Sequence, residues 1–243
     1  MTQEQVLDKY AKARVSLQSH PLTTTGRPKE LDSVMVGIHY TVSELIRDII
    51  LHYKPPPANL LDPMCGNGVF YKLWSAEEMG YSTYFSDLEK TTFTQTVHDV
   101  LEIERHYSKR ADIIVFDPPY PINEAGNWSR KKNEMRRYTQ GQIKTRQDFQ
   151  AFVGKVDKVF RRIISDKGII IAKVQDVHKD GQFIPYHILL TEWLKSFELY
   201  DIVIYRNFYN RAPWGSKYAH NTHSYFLILK PILNQKLLET QTT

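Results

Sequence analysis

Asp117-Pro118-Pro119-Tyr120 ends an apolar run, Ile113-Ile114-Val115-Phe116, whose continuous apolar character predicts a buried strand. Two prolines stop any helix and fix the backbone. They leave an acid, a rigid carbonyl and an aromatic ring at the carboxyl end of that strand, where open α/β sheets bind ligands. A carboxylate acceptor, a carbonyl acceptor and a stacking ring suit capture of a planar nitrogen base through its exocyclic amine. A plain strand-ending Pro-Pro turn with a surface tyrosine has the same sequence. The upstream residues decide between the two.

Those residues are Leu60-Leu61-Asp62-Pro63-Met64-Cys65-Gly66-Asn67-Gly68. An apolar strand runs into a turn with two glycines, and a helical stretch is expected from about Val69 to Met79. Glycines let the backbone approach a ligand closely, and a helix N-terminus offers unpaired N–H groups. A lone Gly-x-Gly also serves ordinary turns. Here a further strand, Ser82-Thr83-Tyr84-Phe85, ends at Ser86-Asp87, which puts an acid 21 residues after Gly66. Nucleotide-binding α/β folds hold ribose with an acid at about 20 residues.

The two motifs together resemble those of the S-adenosylmethionine-dependent amino-methyltransferases of the DPPY type, the family of small DNA adenine-N6 and cytosine-N4 methylases. Its cofactor motif is similar: Asp-Pro-x-x-Gly-x-Gly, then an acid after the second strand. The resemblance implies that Asp62, Pro63, Met64, Cys65, Gly66, Asn67 and Gly68 cradle the methionine portion of S-adenosyl-L-methionine, with Asp87 on the ribose hydroxyls. It makes Asp99, in Val97-His98-Asp99-Val100, the match for an acid that contacts the adenine amine. Only 12 residues separate Asp87 from Asp99, so the third strand–helix unit must be abbreviated, to a short strand through Thr94–Val97. Gly37 to Leu45 resembles the segment the family places on the far side of the cofactor, which makes Tyr40 and Thr41 candidate contacts. Thr41 and Glu44 also have the spacing of a capping box. Asp117, Pro118, Pro119 and Tyr120 become the catalytic group. Within the family, Asp rather than Asn at the first position argues against the Asn-Pro-Pro-Tyr group, which includes many glutamine and guanine-N2 methylases, and Asp rather than Ser leans toward adenine N6 over cytosine N4.

The elements that must position these residues follow from periodicity. A polar helix is expected over about 2–17, a helix near Val42–Tyr53, a long polar stretch over 121–147 and a helix from about Arg146 to Ser165. Gly168–Val174 reads as a fifth buried strand, Tyr186–Ser196 as a helix, and Tyr200–Tyr205 and Ser224–Leu229 as two final strands. The expected fold class is α/β, and the resemblance makes it a Rossmann-like methyltransferase fold with a seven-stranded, mostly parallel sheet. The resemblance implies strand order 3-2-1-4-5-7-6 with the last strand antiparallel. Residues 1–34 are expected to form an N-terminal helix and lead-in, and the resemblance implies a methyltransferase domain over 35–243 with basic and aromatic loops inserted at about 121–147 and 206–222.

The 243 residues give room for a sizeable core. No apolar run approaches the length of a membrane span, the N-terminus lacks signal-peptide character, and one cysteine excludes an internal disulfide. No Cys/His cluster has zinc spacing, so no metal is expected; His220 and His223 read as packing or hydrogen-bonding residues. These features lead to an expectation of reducing cytoplasm, and the resemblance, to small stand-alone DNA adenine methylases, implies a prokaryotic cell or the host cytoplasm of a prokaryotic virus. Net charge +5 and pI near 9.1 lean mildly toward polyanions. Basic and aromatic residues concentrate after the catalytic motif, at Trp128, Arg130, Lys131, Lys132, Arg136 and Arg137, and again at Arg211 and Lys217. That mixture follows a phosphate backbone and stacks on bases. The expected function is methylation of a flipped DNA base at an exocyclic amine, adenine N6 first. An RNA methyltransferase acting on tRNA or rRNA is the second reading, and a catalytically silent nucleic-acid-binding relic the third. Absence of a fused RNA-binding module favours DNA. Intact motifs argue against the relic. Oligomeric state stays open.

Overall fold

A computed structural model describes residues 41–119, 143, 145–179, 182–206 and 223–233. The first described element is α1 (Val42–Tyr53), opened by the expected capping box. Glu44 donates its backbone N–H to the Thr41 hydroxyl at 3.2 Å, and the Glu44 carboxylate accepts the Thr41 N–H at 3.0 Å. The helix buries Leu45, Ile46, Ile49 and Ile50, the i, i+1, i+4, i+5 stripe of one face. Lys54 and the following prolines end it.

The sheet strands are β1 (Asn59–Asp62), β2 (Ser82–Asp87), β3 (Thr96–Val97), β4 (Ala111–Phe116), β5 (Ile164–Val174), β8 (Phe197–Arg206) and β9 (His223–Pro231). Their order is β3-β2-β1-β4-β5-β9-β8. Neighbours from β3 through β5 pair parallel, while β9 runs antiparallel to both β5 and β8. This is the order and sense expected, with β8 and β9 as the sixth and seventh strands of the sheet. A two-stranded ribbon, β6 (Val177–Lys179) and β7 (Gln182–Ile184), stands outside it and was not foreseen.

The near-continuous apolar strands follow from burial on both faces. Leu61, Ile114, Ile170, Ala172, Leu227 and Leu229 join one core, covered by α2 (Arg146–Ile163) and α3 (Tyr186–Trp193). Leu60, Ile113, Ile169, Ile171, Phe226 and Ile228, their immediate neighbours along the strands, join a second core under α1. Helix α2 has its own capping box, Thr145 with Asp148, and sends Phe149, Val153, Val156, Phe160 and Ile163 into the first core. Both later helices end earlier than expected, at Ile163 and Trp193. No helix among the described residues is long and apolar enough to cross a membrane.

One local expectation fails. The glycine turn is followed by a single 3-10 turn, Val69–Tyr71, and turns thereafter, with no helix running to Met79. The cause is competition for the Phe70 carbonyl, which an α-helix would give to the residue 74 N–H. Instead it accepts the Trp74 indole N–H at 2.8 Å and the Ser43 hydroxyl at 3.0 Å. Ser43 sits on α1, 27 residues earlier in the chain.

The strand order fixes where a site can form. From β1 the chain moves outward through β2 to β3, then restarts on the other side at β4. Loops leaving β1 and β4 therefore diverge, and the crevice between their carboxyl ends is the switch point of the sheet.

Candidate active site

At the end of β1, Asp62 is 1% exposed. One oxygen accepts the Met64 N–H at 3.1 Å and the other the Tyr71 hydroxyl at 2.9 Å. Asp62 thus pins both ends of the turn that carries the glycines. In the structure Asp62 is an internal brace of the loop in which the sequence places it. Cys65 donates its N–H to the Ser86 carbonyl at 3.0 Å, and Gly66 donates to the Asp87 carboxylate at 2.8 Å. Gly66 and Gly68 have φ of 52° and 65°, the left-handed region that favours glycine. Met64 and Cys65 send their side chains into opposite cores.

Asp87, at the end of β2 and 2% exposed, also accepts the Glu89 N–H at 3.3 Å. The abbreviated third unit is present as expected. After Asp87 the chain makes a compact turn in which Thr91 donates its hydroxyl to the Gly66 carbonyl at 2.7 Å, and Phe93 stacks on Tyr71 at 5.3 Å. A Cβ on Gly68 would lie 2.3 Å from the Phe93 ring. The close approach at this glycine is thus made by the protein's own aromatic ring. Strand β3 pairs Thr96 with Ser86 and Val97 with Asp87, which leaves Asp99 two residues beyond, on the same edge. Asp99 accepts the Leu101 N–H at 2.9 Å, a turn-capping bond.

Asp117 follows the last residue of β4. Its carboxylate accepts bonds from the Lys173 ammonium at 3.0 and 3.3 Å. Lys173 is the partner of Asp117 that sequence reasoning missed. Its signal was a single cation near the carboxyl end of the apolar run Ile169-Ile170-Ile171-Ala172. Burial, opposed by the bonds from Met64 and Tyr71, pushes the Asp62 carboxyl up to about 8, and the charges of Asp117 and Asp87 push the same way. Three carboxylates from three strand ends therefore share one electrostatic environment. Burial and the charges of Asp62 and Asp87 likewise raise the Cys65 thiol.

Along the same edge, the Asp176 carboxylate (2% exposed) lies 2.7 Å from His187 Nδ1, the His187 ring stacks on Tyr225, and Tyr225 meets His223 at 2.8 Å. His223 therefore bonds within a packed group, as its sequence context suggests. Among the described residues no cluster of His, Cys, Asp and Glu has the makings of a metal site. Thr41 caps α1, and Pro118 and Pro119 follow Asp117 as placed. Tyr40, Tyr120, Trp128, Arg130, Lys131, Lys132, Arg136, Arg137, Arg211 and Lys217 lie outside the described residues.

No protein-family model matches the chain, and no curated protein matches it. Among solved structures it is similar to TrmN from Thermus thermophilus, with 13% identity over 78% of this chain and a TM-score of 0.48. It is similar too to a candidate DNA modification methylase, also from Thermus thermophilus and solved with S-adenosyl-L-methionine, with 20% identity over 56% of this chain and a TM-score of 0.38. A TehB-like SAM-dependent methyltransferase from Corynebacterium glutamicum matches 93% of this chain and 97% of its own, with 14% identity and a TM-score of 0.45. The chain spans about half the length of the first two, 49% and 54%. At 13–20% identity these likenesses concern fold alone.

Proposed function

We propose that this chain is an S-adenosylmethionine-dependent methyltransferase that modifies an exocyclic amine of a nucleic-acid base, with adenine N6 in DNA as the favoured target. The observation that carries this reading is the convergence, at the switch point of the sheet, of the Gly66–Gly68 turn, Asp87 and the Asp117-Pro118-Pro119 segment.

The residues present fit the cofactor. The Asp87 carboxylate stands at the end of β2 against the Gly66 N–H of the glycine turn, a position that suits ribose hydroxyls. The hydroxyls of Ser86 and Thr96, paired across β2 and β3, are buried without a hydrogen-bond partner among the described residues. The cofactor supplies an electrophilic methyl group on a sulfonium.

The chain's own residues deal with the weak nucleophile. The lone pair of an exocyclic amine is delocalised into its ring. The Asp117 carboxylate and the Pro118 carbonyl can each accept one amine hydrogen, which turns the nitrogen toward sp³ geometry and frees the lone pair for in-line attack. Positioning and preorganised acceptors are the devices involved. The amine proton leaves after transfer, and no dedicated base is assigned. Tyr120 is proposed to stack on the base. A duplex base must be flipped out to reach these groups, at a cost of a few kcal/mol. The basic and aromatic residues at 128–137, with Arg211 and Lys217, are proposed to hold the nucleic-acid strand. Incubation with labelled cofactor and either DNA or RNA, followed by mass spectrometry of the nucleosides, tests the reading. N6-methyladenine from DNA supports it. Label confined to RNA, to cytosine or to protein overturns the favoured target.

A further inference from the structure

Lys173 breaks the apolar run of β5 one residue before its end. Strands β4 and β5 pair Phe116 with Ala172, so Asp117 and Lys173 stand side by side on the edge where the candidate site lies. The ammonium reaches both oxygens of Asp117, and the pair is sheltered, with side-chain exposures of 22% for Lys173 and 32% for Asp117. The same ammonium lies 5.6 Å from the centre of the Phe70 ring, in the turn that follows the two glycines. One cation therefore touches the catalytic motif and the cofactor turn at once. The Phe70 contact restricts where that cation can go. Asp62, largely protonated at neutral pH because burial raises its carboxyl, and Asp87 share this environment, so Asp117 without a cation would be an uncompensated charge in a confined space.

We propose that Lys173 is a positioning residue for methyl transfer: it holds the Asp117 carboxylate aimed and charge-compensated, keeping one oxygen while the target amine takes the other. This deepens the functional reading above and rests on it. In the resting site the ammonium occupies both oxygens, so it stands in for the amine as a donor. On entry of a base it yields one oxygen and remains on the second. The amine then meets a carboxylate whose orientation is already set by a neighbouring strand, which is the form of preorganisation that raises the rate at the chemical step. A merely structural ion pair would contribute to stability and leave that step alone.

Two measurements test the proposal: the first tests the pairing, and the second separates these roles. The first needs no catalysis: urea unfolding of Lys173→Met in the wild-type and Asp117→Asn backgrounds. The lysine substitution lowers the unfolding midpoint in the first background and leaves it nearly unchanged in the second. An equal drop in both would overturn the pairing and the proposal with it. The second measures turnover on the nucleic acid that the wild-type chain methylates. Lys173→Met lowers kcat on the order of 10- to 100-fold, the scale of a reacting group misplaced by about 1 Å. KM for S-adenosylmethionine stays within about twofold, and Lys173→Arg recovers most of the loss. A kcat for Lys173→Met within about twofold of wild type, or Arg no better than Met, overturns the proposal. A wild-type chain that methylates no nucleic acid overturns the functional reading itself, and that result is seen before any variant is made.

Discussion

Gly68→Ala is the substitution whose cost follows most directly from the geometry. Gly68 has φ of 65°, where a residue with a Cβ loses about 1–2 kcal/mol. The new Cβ would lie 2.3 Å from two atoms of the Phe93 ring and 2.8 Å from a third. One of the near atoms is Cγ, the root of the ring, so the whole side chain has to move. Phe93 stacks on Tyr71 at 5.3 Å and leans on Phe85 at 4.8 Å, and such pairs contribute about 0.5–1.5 kcal/mol each. Strain plus the loss of both pairs gives about 2–5 kcal/mol, a large part of the roughly 5–15 kcal/mol that holds a domain together. In a Phe93→Ala background the ring is already gone, and the same substitution costs only the strain, about 1–2 kcal/mol. Urea unfolding of the wild type, both single variants and the double variant therefore gives a coupling of about 1–3 kcal/mol. Additive costs would refute the packing of Phe93 against the glycine turn.

Asp87→Asn should weaken S-adenosylmethionine binding on the order of 10- to 100-fold, since each charge-assisted bond to ribose is worth about 1.5–3 kcal/mol; an unchanged affinity by calorimetry would remove the ribose assignment. Replacing Arg130, Lys131, Lys132, Arg136 and Arg137 together by Gln should weaken nucleic-acid binding and flatten its salt dependence, whose logarithmic slope scales at about 0.9 per phosphate contact on duplex DNA. A slope equal to wild type would move the binding surface elsewhere. Asp62 titrates at about 8 in the fold, raised from 3.8, so the folded state binds the extra proton. Its contribution to stability is therefore full below about pH 4 and is lost as pH rises toward about 8. Asp62→Asn should flatten thermal stability across that window, and an unaltered pH profile would contradict the assignment.

Most of the sheet was legible in the sequence because its strands are buried on both faces. Ile113 to Phe116 and Ile169 to Ala172 show no alternation, and the structure divides successive residues between two cores. The cap of α1 was legible because Thr41 and Glu44 satisfy each other locally. What escaped was set by distant partners. The helix expected after Gly68 yields to a 3-10 turn because Ser43, on another element, takes the Phe70 carbonyl. Lys173 gave no hint of its partner, since its pairing depends on the register of β4 against β5. The β6–β7 ribbon is too short, at three residues a strand, to show a period.

The central claim concerns Asp117 as the acceptor that prepares the target amine. Asp117→Ala, assayed with duplex DNA and labelled S-adenosylmethionine, tests it most directly, with cofactor affinity measured on the same preparation. The account predicts N6-methyladenine from the wild type and none from the variant, while the variant's cofactor affinity stays within about twofold because Asp87, the proposed ribose contact, is left in place. Robust methyl transfer by the Asp117→Ala protein would contradict it.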